Sequence, residues 1–195
     1  MPFAHVDMFI NFVLVLLTVS STAWCQDQSG RRCARAASSC HLTPPSLEGP
    51  YYWNSTVRRD ITLGQQLTNI QGLAVFDTIY PGWYPGRCAH IHVKVHVGAT
   101  LTNIDGAIHA KGGHVSHTGQ LYFNDTLTDE VAKLPPYMLQ KIRRTRNGED
   151  FIYSDLEIEP MIIPITFLTA DGLQGRLRSE ITLTINPKVT LPGGR

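Results

Sequence analysis

Asp77 to Val97 reads DTIYPGWYPGRCAHIHVKVHV: a turn dense in Pro, Gly and aromatic residues that runs into an alternating stretch. A strand puts residues i and i+2 on one face. His90 and His92 therefore project together, while Ile91, Val93 and Val95 face the other way. Two imidazoles on one strand face form half of a metal site. Tyr84 lies on the sharp bend between Pro81 and Gly86, placed to fold back toward that face. A Tyr with His-x-His is an oxygen and nitrogen donor set without thiolate, which suits a hard ferric ion better than structural zinc. His-x-His by itself is more often two solvated histidines than a ligand pair; Tyr84, Arg87 and the stretches that flank them favour the ligands.

Outward from this stretch the chain reads as short strands. Gly72–Tyr80 is one, with Leu73, Val75 and Asp77 on a face, and His90–Val97 is the clearest. Leu101–Gly113 reads as a Gly-rich hairpin or loop, Val115–Phe123 as a returning strand and Met161–Leu168 as a β-branched apolar one. Ser179–Ile185 alternates Ile181, Leu183 and Ile185 against Thr182 and Thr184. Thr128–Leu134 carries a helix-start signature, with Thr128 as cap, acids in the first turn and Pro135 beyond the end. Many short strands, Gly/Pro-dense turns and one short helix imply an all-β chain, an antiparallel β-sandwich.

Met8–Val19 is apolar and is followed by Ser20-Ser21-Thr22-Ala23, the pattern of a signal peptide cleaved near Ala23–Cys25. The run is shorter than the roughly 18–20 residues that span a bilayer. Secretion, with no membrane attachment after cleavage, is the expectation. The division is then 1–24 signal peptide, 25–39 polar, Arg-rich leader and 40–195 one domain. A hydrophobic fraction of 43% suffices for a core, and a net charge of +1 with scattered basic residues points away from nucleic acid. Arg143, Arg144 and Arg146 beside Asn147-Gly148 read as an exposed loop. The cysteines are Cys25, Cys33, Cys40 and Cys88, and both Cys33–Cys40 and Cys40–Cys88 pairings are open. Asn54-Ser55-Thr56 and Asn124-Asp125-Thr126 match the N-glycosylation sequon.

Tyr80-Pro81-Gly82-Trp83-Tyr84-Pro85-Gly86-Arg87 followed by His90-Ile91-His92 resembles the iron-binding motif of the intradiol ring-cleavage dioxygenases, in their secreted eukaryotic branch. The resemblance extends to Glu48-Gly49-Pro50-Tyr51-Tyr52, Arg59-Asp60-Ile61, Gly119-Gln120-Leu121-Tyr122-Phe123 and Leu134-Pro135-Pro136-Tyr137. It covers most of the chain from Cys40 to about Gly175 and implies the same sandwich. It implies high-spin Fe(III) held by Tyr84, His90 and His92, with Tyr84 as the tyrosine that the substrate displaces and then a base for a catechol proton. Arg87 matches the family's active-site Arg, which stabilises charge on the substrate ring, and Gln120 matches a supporting Gln. Tyr80 is the runner-up for the turn tyrosine; His96, His109, His114 and His117 are not assigned to iron. The implied reaction opens a catechol ring with O₂ between the two hydroxyl-bearing carbons, giving a muconate-type product.

The chain also departs from that family. Relatives carry a segment after Arg-x-Asp-Ile that supplies a second tyrosine ligand and a cysteine. Here Arg59-Asp60-Ile61 runs almost directly into Leu67-Thr68-Asn69-Ile70. Cys40 then lacks its expected partner. A second reading follows: a catalytically inactive secreted homologue that binds phenolics or a protein partner. A His-rich metal scavenger is a third.

Overall fold

The computed structural model describes residues 11–21, 45–46, 68–69, 72–104, 107–154 and 161–191. The strands are β1 (Asn11–Ser21), β2 (Leu73–Ile79), β3 (His90–Val97), β4 (Thr100–Ile104), β5 (Ala107–Lys111), β6 (His114–Tyr122), β7 (Thr166–Phe167) and β8 (Leu177–Ile185). Two short helices, α1 (Asp125–Val131) and α2 (Phe151–Ser154), lie in the connection from β6 to β7. One sheet runs β2-β1-β8-β7; β3 pairs with β6, and β4 with β5. All pairings are antiparallel except β1 with β8. The chain is the all-β sandwich that its strand pattern implies.

The core lies between the faces of β3–β6 and of the larger sheet. Val93 and Leu121 meet Leu177, Leu183 and Ile185 there, joined by Tyr80, Ala89, Phe123, Val131 and Ile163. Burying each of the larger apolar chains is worth about 1.5–3 kcal/mol, so this cluster holds the layers together. β3 contributes by alternation: Val93 is buried, with Ile91 and Val95 packed against the core. His90 and His92 are thereby directed to the opposite face. Across the ladder His90 pairs with Tyr122 and His92 with Gln120. The register alone therefore sets four polar side chains side by side.

Several elements differ from the sequence expectations. β2 is the strand expected there, and its core face is that of Ala74 and Phe76, opposite Leu73 and Val75. Helix α1 starts a turn earlier than the Thr128 signal implies. Asn124, a stronger cap than Thr, accepts the Thr126 amide at 2.8 Å. Thr128 is instead buried mid-helix, where its hydroxyl bonds the Asn124 carbonyl at 3.0 Å. Of Met161–Leu168, Thr166–Phe167 forms a strand and Ile162 makes a single parallel bridge to Tyr122 at the end of β6; between them Pro164 has no amide hydrogen to give a ladder. Arg144 is not an exposed loop residue, for it bridges Asp125 and Asp129 of α1 at 2.6 Å each with its side chain 10% exposed.

Asn11–Ser21, the heart of the expected signal peptide, forms β1. Its backbone pairs on both sides, Asn11 with Ile79 through Thr18 with Leu73, and Phe12 with Leu177 through Ser21 with Ile185. Among the described residues no helix is long and apolar enough to cross a membrane. Cys88 is a buried free thiol, so the Cys40–Cys88 pairing is not made. Cys25, Cys33, Cys40, Tyr51, Tyr52 and the Asn54 sequon lie outside the described residues.

Candidate metal and catechol site

The turn before β3 is built by its own sequence. Pro85 and Gly86 occupy the middle of Tyr84–Arg87, and the Arg87 amide closes the turn on the Tyr84 carbonyl at 3.0 Å. Gly86 has φ of 77°, the left-handed value that the second central position of a type II turn requires. A Cβ at Gly86 would meet nothing within 4 Å, so the cost of adding one lies in the backbone, about 1–2 kcal/mol. Gly86→Ala is expected to lower the thermal midpoint by about 2–8 °C and to loosen Tyr84 against Arg87. Differential scanning calorimetry checks the first effect. An unchanged midpoint would mean that the turn adopts another conformation.

Trp83 anchors the turn, donating from Nε1 to the Ile142 carbonyl at 2.9 Å. Tyr80 points away into the core, where its hydroxyl bonds Thr128 at 2.7 Å and its ring packs on Phe123. Of Tyr80 and Tyr84 it is thus Tyr84 that lies beside the histidines, its ring centroid 5.8 Å from that of His90.

The Nε2 atoms of His90 and His92 face one another at 3.1 Å. Two nitrogens each about 2.1 Å from one metal, at right angles, lie about 3.0 Å apart. The pair therefore has the spacing of two adjacent ligands. His90 donates from Nδ1 to the Cys88 carbonyl at 2.7 Å, which leaves its Nε2 lone pair for a metal, as ligating histidines commonly arrange. Burial pushes the His90 imidazole below its ordinary pKa, Arg87 adds to this, and the bond to Cys88 opposes it. The ring is neutral at neutral pH and ready to ligate. His92 is exposed and opens the pair to solvent.

Arg87 is 5% exposed. Its Nη1 donates to the Tyr84 hydroxyl at 3.2 Å, and its Nη2 to Gln120 Oε1. Tyr122 donates to the same Gln120 oxygen at 3.0 Å. Nε of Arg87 lies 3.0 and 2.9 Å from the two oxygens of Asp150, which is fully buried. Burial alone would raise the Asp150 pKa, but the Cys88 amide and thiol, with Arg87, hold the carboxyl below its ordinary range. Removing one partner of such a buried pair costs about 3–5 kcal/mol.

Tyr84, Arg87, His90, His92 and Gln120, singled out in the sequence, thus come together on one face. Of the other histidines, His96 is exposed beyond a register shift in β3, and His114 bonds the Pro187 carbonyl at 2.9 Å. His117 is buried with Nε2 lacking a partner, and the His109 side chain lies outside the described residues. Asp150, Tyr122 and Tyr153, whose ring stacks edge-on to Tyr122 at 5.0 Å, were not singled out. Among the described residues no group of three or more His, Cys, Asp or Glu side chains could hold a metal. The donors here are two imidazoles and a phenol, a set that fits a hard trivalent ion and is short of a second tyrosine.

No family model matches the chain, and no curated protein matches it. Solved structures do. An intradiol ring-cleavage dioxygenase from Tetranychus urticae is 25% identical, with a TM-score of 0.61, over 94% of this chain and 84% of that one. A second structure, also of a dioxygenase, has 25% identity and a TM-score of 0.60, with the same coverage of both chains. Both neighbours are the longer proteins, with residues that have no counterpart here.

Proposed function

We propose, from this structural kinship with the intradiol ring-cleavage dioxygenases, that the chain is a non-haem Fe(III)-dependent intradiol dioxygenase. Its substrates would be a catechol-type aromatic and O₂, and its product a muconate-type dicarboxylate. The observation that carries the reading is the 3.1 Å approach of the two His Nε2 atoms beside Tyr84, with Arg87 aimed at the same face.

His90, His92 and Tyr84 would hold the ion. When bound, ferric iron supplies a Lewis acid that lowers the pKa of a coordinated phenol and makes the catecholate reactive toward O₂. The bond from His90 to the Cys88 carbonyl fixes the imidazole tautomer. Tyr84, as tyrosinate, accepts a proton from a catechol hydroxyl. Arg87 presents Nη1 and Nη2 to negative charge as it develops on the substrate. Gln120, held by Tyr122, keeps Arg87 from swinging away.

The test is oxygen uptake by the iron-loaded protein with catechol, read together with the product. Uptake with a ring-opened dicarboxylate supports the reading. A folded, iron-loaded protein that consumes no oxygen overturns it. One observation favours the inactive homologue: Tyr84 is the one tyrosine matched to a ligand among the described residues. For localisation the proposal is secretion. Cleavage near Ala23–Cys25 would remove β1, so cleaved export and the four-stranded sheet exclude one another. The intact mass of exported protein distinguishes them.

A further inference from the structure

Asp150 sits at the head of α2 with none of its surface exposed. Its carboxylate accepts from Arg87 Nε, from the Cys88 amide at 2.9 Å and thiol at 3.1 Å, and from the Ile152 and Tyr153 amides at 2.9 and 3.3 Å. That set occupies the lone pairs of a carboxylate. Asp150 has no capacity left for a substrate proton, and burial removes it from contact with substrate. What it does is hold. It takes only the Nε edge of Arg87, which leaves Nη1 and Nη2 for Tyr84 and Gln120. It also grips Cys88 by the amide, and the carbonyl of that residue accepts His90 Nδ1 at 2.7 Å. One carboxylate thus ties together the charge-stabilising arm and one of the two histidines.

We propose that Asp150 is the positioning residue of the site, fixing the Arg87 fork toward the substrate and, through Cys88, the orientation of His90. The role rests on the dioxygenase reading for its effect on turnover, but not for its effect on Arg87 itself. Asp150→Asn keeps the shape but removes the charge and replaces one of the two oxygens that face Arg87 Nε with an NH₂ donor. The fork then leaves its place. A misplacement near 1 Å costs about 100-fold in rate.

Two readouts test this. By ¹⁵N NMR, the Arg87 Nε–H, identified by its loss in Arg87→Lys, is expected to be protected from exchange in the wild type and unprotected in folded D150N. Retained protection in D150N would overturn the proposal. In the iron-loaded protein, D150N is expected to lower kcat about 100-fold with a smaller change in KM. Once Arg87→Ala is present, adding D150N is expected to cost only what Asp150 contributes through Cys88 and His90; fully additive losses would overturn an action through Arg87. Asp150→Glu is the second variant, since it keeps the charge where D150N fails to fold. It moves the carboxylate by one methylene and is expected to lose the protected Nε–H as well. A wild-type protein with a protected Arg87 but no oxygen uptake would contradict the dioxygenase reading and leave the positioning role standing.

Discussion

His92→Ala is expected to abolish iron retention and, with it, oxygen uptake. The two Nε2 atoms at 3.1 Å have the spacing of a chelating pair, and no cluster of three or more His, Cys, Asp and Glu among the described residues offers a replacement. The site has Tyr84 as its remaining matched donor. With one imidazole gone that pair is broken, and Tyr84 with a single imidazole cannot hold a ferric ion against hydrolysis and chelating buffers. Iron content after gel filtration should fall from near one per chain to near zero. The fold should persist, because His92 is exposed and leaves the core untouched. His90→Ala should lose iron too, but with some loss of stability, because it removes a buried bond to Cys88 worth about 0.5–1.5 kcal/mol. Full iron occupancy and turnover in H92A would sink the ligand assignment.

If the four-stranded sheet is the mature fold, rather than that of a precursor cleaved on export, removing residues 1–24 is expected to abolish cooperative folding. β1 is an inner strand, paired along both edges to β2 and β8. Its loss leaves a gap about two strand spacings wide, close to 10 Å, with two unpaired edges that invite aggregation. The partner β8 carries Leu177, Leu183 and Ile185 of the core, so the damage reaches the centre. Total stability of a domain is about 5–15 kcal/mol, which the loss of a doubly paired strand exceeds. Circular dichroism melts of the full and shortened chains check this. A sharp, reversible melt in the shortened chain would show that the sheet closes without β1.

Which side chains share a face is more legible in the sequence than the scaffold around them, and for physical reasons. His90–Val97 is legible because a half-buried strand must alternate, and alternation fixes which face the histidines take. The Tyr84–Arg87 turn is legible because Pro and Gly are required there by φ. Asn11–Ser21 reads two ways because a doubly paired strand and the apolar stretch of a signal peptide are both short, continuous apolar runs. The start of α1 was missed because Asn124 and Thr128 both offer caps one turn apart, and tertiary contacts with Arg144 and Tyr80 decide between them. Asp150 was invisible for another reason. In sequence it is one acid in the polar stretch Asn147–Asp150, and its importance comes from Arg87 and Cys88, more than sixty residues away.

The claim that Tyr84 joins His90 and His92 on iron has a spectroscopic signature of its own. A tyrosinate bound to Fe(III) gives a visible charge-transfer absorption, so the measurement is the visible spectrum of iron-loaded wild type beside that of Tyr84→Phe at equal iron content. The expected result is a coloured wild type whose band is lost in Y84F while iron remains on the histidines. A colourless wild type, or a band unchanged in Y84F, would contradict it.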